Sequence, residues 1–251
     1  MIFESISIPR ILGRLDNYFE KNDYDGAEKH LLYWLDESRR VHDWRAELCV
    51  ENELIGLYRK IKHEPGCMHA IDNVMLLIRE RNLEDNIGSG TTYLNCATAN
   101  EAFGYPEKAL YYFEKALKVY EQLPQEDQRR GGLYNNMATT LVTLRRFSEA
   151  YDYYNQAIAI METQNLWLEV AITHLNIASA KEAELGLVAA ETEIDARMDA
   201  AAALLDTHGD EFPRGYYAFV CEKCAPVYGY YGRFAYKKTL LKRAEDIYAG
   251  T

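Results

Sequence analysis

Between Thr91 and Ala159 the chain writes one pattern twice, and that repetition restricts the fold more than any single residue does. Tyr93 pairs with Tyr134, Asn95 with Asn136 and Ala97 with Ala138. Further on, Ala109 pairs with Ala150, Phe113 with Tyr154 and Ala116 with Ala157, every pair 41 positions apart. A fixed period of this size marks stacked repeats in place of one closed core. Within each copy a small residue, an aromatic four later and a small residue three beyond share one helix face. Small residues let two antiparallel helices approach closely, and the aromatic fills the space where the next helix leans in. A corner separates the helices of each copy: Gly104-Tyr105-Pro106 in the first, Arg145-Arg146-Phe147-Ser148 in the second. Pro106 sits where a first helical turn tolerates proline.

On Ala97, Gly104, Ala109, Phe113, Ala116 and Leu117, and again on Ala138, Phe147, Ala150, Tyr154, Ala157 and Ile158, the chain resembles the tetratricopeptide repeat (TPR) family. Its period exceeds that family's usual ~34 residues. It looks more like the longer-helix branch of kinesin light chains and bacterial peptide-receptor regulators. The resemblance implies an all-α, right-handed superhelical solenoid of about six helical hairpins, a single solenoid over residues 1–251. It also implies a protein- or peptide-binding scaffold, not an enzyme, whose first helices line a concave groove.

The spacing predicts repeats over residues 7–41, 43–82, 90–123, 131–164, 166–207 and 213–249. Ser7 and Pro9 open the first, and Trp34 stands where a later Ala is expected, which predicts looser edge packing. In the second, His63-Glu64-Pro65-Gly66 reads as a helix-stopping turn. Its second helix is expected from about Met68, with Ala70, Val74 and Leu77 in the packing positions and one extra turn relative to repeat three. A polar break from Leu123 to Gln128 separates repeats three and four. In repeat five either Ala190 or Ile194 takes the first small position. In repeat six Leu241 stands in the place of Phe113, and Pro226 is expected to kink the first helix.

Three asparagines, Asn95, Asn136 and Asn176, each lie two residues before the small Ala of a first helix. The resemblance places such residues in the groove, where an amide that donates and accepts can pair with an extended backbone. The other reading is a bridge between adjacent helices. Thr98, Thr139 and Ser179 follow one turn later, then Glu101 and Glu182, so the expected groove is polar, hydroxyl-lined and mildly acidic. Some relatives grip a terminal carboxylate with first-helix Lys or Arg; those positions here hold Leu94, Asn135 and Leu175, so that clamp is matched only in part.

Other constellations have plainer readings. Cys221-Glu-Lys-Cys224 lies about two turns inside its helix, not at the N-terminus a redox thiolate needs. It reads as a pair of small buried hydrophobes. His63, Cys67 and His69 match no standard zinc spacing. Neither a nucleophile triad nor a phosphate loop occurs, and no cofactor is expected.

The net charge of −11 supplies no basic stripe for nucleic acid. Without a long apolar run, membrane spans are not expected. The N-terminus lacks the pattern of a signal peptide, and five scattered cysteines suit a cytoplasmic setting. A regulator acting on a separate effector, or a thiol- or metal-dependent enzyme, are the alternatives. Finally, Leu240, Leu241, Ala244, Ile247 and Tyr248 are read as one uncovered side of the last helix, because the repeat pattern stops before a capping helix. That side predicts a weak homodimer.

Overall fold

The computed structural model describes residues 5–124 and 127–250. Gln125 and Glu126 of the predicted polar break, residues 1–4 of the N-terminus and Thr251 lie outside the described residues. Among the described residues every regular element is helical. Among these residues, twelve α-helices pack in consecutive pairs, with one 3-10 turn, Gly209–Glu211, before the last pair.

The chain divides into two compact units, residues 1–123 and 124–251. The first holds α1 (Ile8–Glu20), α2 (Tyr24–Arg40), α3 (Trp44–Lys60), α4 (Glu64–Glu80), α5 (Ile87–Ala102) and α6 (Pro106–Tyr120). The second holds α7 (Gln128–Thr143), α8 (Phe147–Thr163), α9 (Trp167–Leu185), α10 (Leu187–His208), α11 (Arg214–Tyr230) and α12 (Phe234–Tyr248). Inside each unit a helix touches its sequence neighbours, and first helices also touch first helices: α3 meets α5, α7 meets α9, and α9 meets α11.

Five hairpin corners share one hydrogen-bonded device. Asn22, Lys62, Gly104, Arg145 and Gly232 each adopt a left-handed backbone. The next residue's N–H reaches back to a carbonyl in the last turn of the first helix. These bonds run from Asp23 to Tyr18, His63 to Tyr58, Tyr105 to Asn100, Arg146 to Leu141 and Arg233 to Tyr228, at 2.8–2.9 Å. This is the Schellman closure, and it leaves the donor residue free to cap the following helix. Asp23 does so with its side chain, accepting from the Gly26 N–H at 2.9 Å. The α9–α10 corner departs from the pattern: Gly186, at φ +82°, is at once the end of one helix and the cap of the next.

The shared corners correct the expected register of the second hairpin. Glu64, Pro65 and Gly66 do not stop a helix; they are the first turn of α4. A proline there loses no intrahelical hydrogen bond, since first-turn N–H groups have no partner in any case. Counted from the corner, Cys67, Ile71 and Val74 take the places of Ala109, Phe113 and Ala116, and all six are buried. Glu53 stands where Asn95 stands, so the second hairpin has no extra turn. Trp34 is partly buried against its core, and the α10 ambiguity resolves on Ala190, which is fully buried one turn into the helix.

The last helix brings a second correction. Leu240 and Ala244 are not on an uncovered side: they are buried in a core built from α9, α10, α11 and α12, with Ile247 packed partly against it. Counted from the corner, Leu241 keeps the place of Phe113 but not its burial. It is 41% exposed, on a separate stripe with Phe234 and Tyr248. Spacings of four and three put Leu240, Ala244 and Ile247 on one face, while spacings of seven put Phe234, Leu241 and Tyr248 on another. Pro226 is carried inside α11, which continues from Arg214 to Tyr230.

Candidate functional site

The first-helix positions predicted to form a groove carry an amide bridge in each unit. In the first unit, Asn95 on α5 donates its side-chain amide to Asn52 Oδ1 on α3, at 3.1 Å. Thr98 receives the Arg59 guanidinium and donates to the Asn95 carbonyl. Glu101 is half-buried a turn further along. Glu53 and Gly56 occupy the same row in the second hairpin. With Phe19, Leu57, Arg59 and Lys60 they line a cleft of about 580 Å3. Burial, then the nearby Asp16 carboxylate, holds the Glu53 carboxyl above its ordinary range.

In the second unit the same bridge recurs. Asn176 on α9 donates to Asn135 Oδ1 on α7 at 3.1 Å, and Thr173 donates to the same oxygen at 3.1 Å. In both units the acceptor stands one residue before the row position of its own helix. Thr139 donates to the Asn135 carbonyl and pairs with the Tyr154 hydroxyl at 3.1 Å. Burial pushes the Tyr154 phenol up to about 12. Ser179 is exposed and bonds back to the Leu175 carbonyl. Glu182 accepts from Tyr230 at 2.7 Å and Tyr231 at 2.8 Å, both near the end of α11. Asn136 differs from its two equivalents: it is half-buried and makes no side-chain hydrogen bond among the described residues.

A bridging amide is oriented by its bond without being used up. Asn95 and Asn176 each spend one N–H, and keep a second N–H and a carbonyl oxygen. Within each unit these positions thus combine a fixed amide, a threonine hydroxyl and carboxylates, a donor-and-acceptor lining suited to polar backbone. Sequence reasoning missed Asn52, Arg59, Thr173, Tyr230 and Tyr231. Only Asn52 carried a signal, an amide one hairpin earlier at nearly the repeat spacing; the others belong to no repeated position.

Elsewhere, Cys221 and Cys224 are both buried in α11, and burial pushes the Cys224 thiol up to about 12. Cys67 is buried, its thiol directed at the Ile55 carbonyl at 3.5 Å and pushed up to about 11 by burial. His63 is exposed and packs on the Tyr58 ring at 5.0 Å, and His69 is exposed. Among the described residues no three His, Cys, Asp or Glu side chains gather as a metal set. In each of the basic pairs Arg129-Arg130 and Arg145-Arg146 one arginine is ion-paired, Arg129 with Asp127 and Arg146 with Glu149.

At the level of sequence the chain matches no family model and no curated protein. At the level of structure it is similar to BtubC (BKLC) from P. vanneervenii, with a TM-score of 0.61 and 19% identity, over 90% of this chain and 91% of that one. It is also similar to a Podosopora anserina kinesin-light-chain candidate with nearly identical TPR-like repeats. There the TM-score is 0.54 and the identity 15%, over 80% of this chain and 94% of the other. The fold is that of TPR-like helical repeats, as the small–aromatic–small pattern implied.

Proposed function

We propose that this chain is a protein- or peptide-binding scaffold that works through the first-helix faces of its hairpins. Its TPR-like fold supports the reading, since such repeats present extended surfaces to partners. The observation that carries it is Asn136. It holds the repeat position of amides that are oriented by a bridge within each unit, yet its own amide has no partner among the described residues. An extended peptide supplies what it lacks, a carbonyl and an N–H at backbone spacing. The cleft at Glu53 and Gly56 extends the same kind of surface in the first unit. Binding is favoured over thiol chemistry because burial holds Cys67, Cys96 and Cys224 in the protonated form. All five cysteines are free thiols, which fits work in the cytoplasm. No described helix is long and apolar enough to cross a membrane.

Affinity capture from native lysate tests the reading. Wild-type chain is expected to retain a partner that Asn136→Ala loses, with an unchanged melting temperature for the variant. The same partners on both proteins would overturn the assignment of Asn136. A variant that melts early would show that the amide is structural.

A further inference from the structure

The corner device also marks one residue in each of its five hairpins whose carbonyl closes the turn, and the side chains at that position are directly comparable. In the second hairpin it is Tyr58, buried at the joint of α2, α3 and α4. Its ring lies against Gly66, where a Cβ would come within 2.9 Å of it. Burial first, and then the nearby Glu28 carboxylate of α2, holds its phenol far up. In the last hairpin it is Tyr228, fully buried, donating to the Met198 carbonyl of α10 at 2.9 Å and packed edge-on against Tyr236 at 4.6 Å. In both, a phenol runs from the corner to the preceding second helix and closes the joint.

The third hairpin has Asn100 at this position, and its side chain is too short to span the joint. Its amide N–H turns back to the Cys96 carbonyl at 2.8 Å. Its Oδ1 is buried without a partner, and the residue is 1% exposed. Buried acceptors are rarely left so. Beside it lies a cleft of about 460 Å3, lined by Asn100 with Met68, Ile71, Asp72, Lys108 and Tyr111 among others. Counted from their corners, Met68 stands in α4 where Glu28 stands in α2, and Lys108 stands where Gly66 stands. The cleft is therefore the joint that a tyrosine closes elsewhere. At its mouth Tyr111 is 53% exposed.

We propose that this cleft is a socket for one tyrosine side chain of a partner protein, whose hydroxyl donates to Asn100 Oδ1. The occupant is defined by what the chain itself uses at the joints of Tyr58 and Tyr228, where the fourth hairpin instead has Leu141: a flat apolar ring with an O–H donor at its far end. Met68, Ile71 and Tyr111 suit the ring. The orphaned carbonyl selects the hydroxyl, so phenylalanine and leucine are disfavoured. The proposal rests on the protein-binding reading above, and names a different surface from the amide row.

The probe is p-cresol, the tyrosine side chain alone, compared with toluene. Binding to the full-length chain is followed by NMR at the Asn100 side-chain amide. Wild-type protein is expected to bind p-cresol at least about tenfold more tightly than toluene, the scale of one added hydrogen bond. Asn100→Tyr closes the joint from within and is expected to abolish p-cresol binding. Should Lys108 crowd the new ring and the variant fail to fold, Asn100→Tyr with Lys108→Gly restores the pairing used by Tyr58 and Gly66. Asn100→Leu is expected to erase the preference for p-cresol. Equal binding of the two probes by wild-type protein would overturn the proposal, because Oδ1 would then play no part in choosing the ligand. So would p-cresol binding that survives in a folded Asn100→Tyr protein. Neither failure touches the capture experiment on Asn136.

Discussion

At the scale of single residues, His174 shows how burial turns an ordinary side chain into a pH-dependent support. On α9 it accepts from the Arg197 guanidinium through Nδ1, at 3.2 Å. Burial, and then the Arg197 charge, lower its pKa from 6.5 to about 4. The unfolded chain takes up the proton first as pH falls. The contribution of neutral His174 is therefore whole above about pH 6.5 and is lost as pH falls toward 4. Relative to His174→Gln, wild-type protein should lose about 1 kcal/mol between pH 7 and pH 5, after discounting for solvent screening of a partly exposed group. Urea midpoints of both proteins at the two pH values measure this; parallel changes would show that the imidazole is not held neutral. Glu51 is a contrasting case. It is 1% exposed, its carboxylate held by Arg39 and Asn73 at 2.7 Å each, tying α2, α3 and α4 together. None of these contacts was legible in the sequence, because Arg39, Glu51 and Asn73 share no repeated position and meet only across helices.

At the scale of elements, the repeated small–aromatic–small triplet read α6 and α8 correctly because its residues sit on one face whatever surrounds them. Ala109, Phe113 and Ala116 are all buried, as are Ala150, Tyr154 and Ala157. The same template failed in α12. Leu240 and Leu241 are adjacent, and either can lie inside an apolar arc at helical spacing. Packing against α11 chose Leu240. Leu240→Ala should cost about 2–5 kcal/mol, the usual range for a buried leucine, and Leu241→Ala no more than about 0.5 kcal/mol. Denaturant titrations of the two variants decide it, and equal losses would contradict this assignment of faces. In α4 the template failed for another reason. Pro65 and Gly66 are breakers inside a helix but acceptable in its first turn, and composition alone does not say which side of a corner they occupy.

At the scale of the whole molecule, helices touch sequence neighbours and next-but-one first helices within each unit, so cooperativity is expected to be local. Leu240→Ala should accelerate amide hydrogen exchange in α11 and α12 while leaving α3, around Val50 to Leu57, unchanged. Uniform acceleration along the chain would show that the molecule opens as one body. The sequence by itself determined that the chain folds as helical hairpins of the TPR-like kind and which residues stand in equivalent places. Those properties depend on helical periodicity and on corner chemistry, both local. Only the tertiary structure decided what equivalent residues do. Asn95 and Asn176 bridge to neighbouring helices while Asn136 does not, and Tyr58 and Tyr228 close joints that Asn100 leaves open. A hydrogen bond or a filled cavity needs a partner at the right distance, and that distance is set by how one helix lies against the next, which no repeat period encodes.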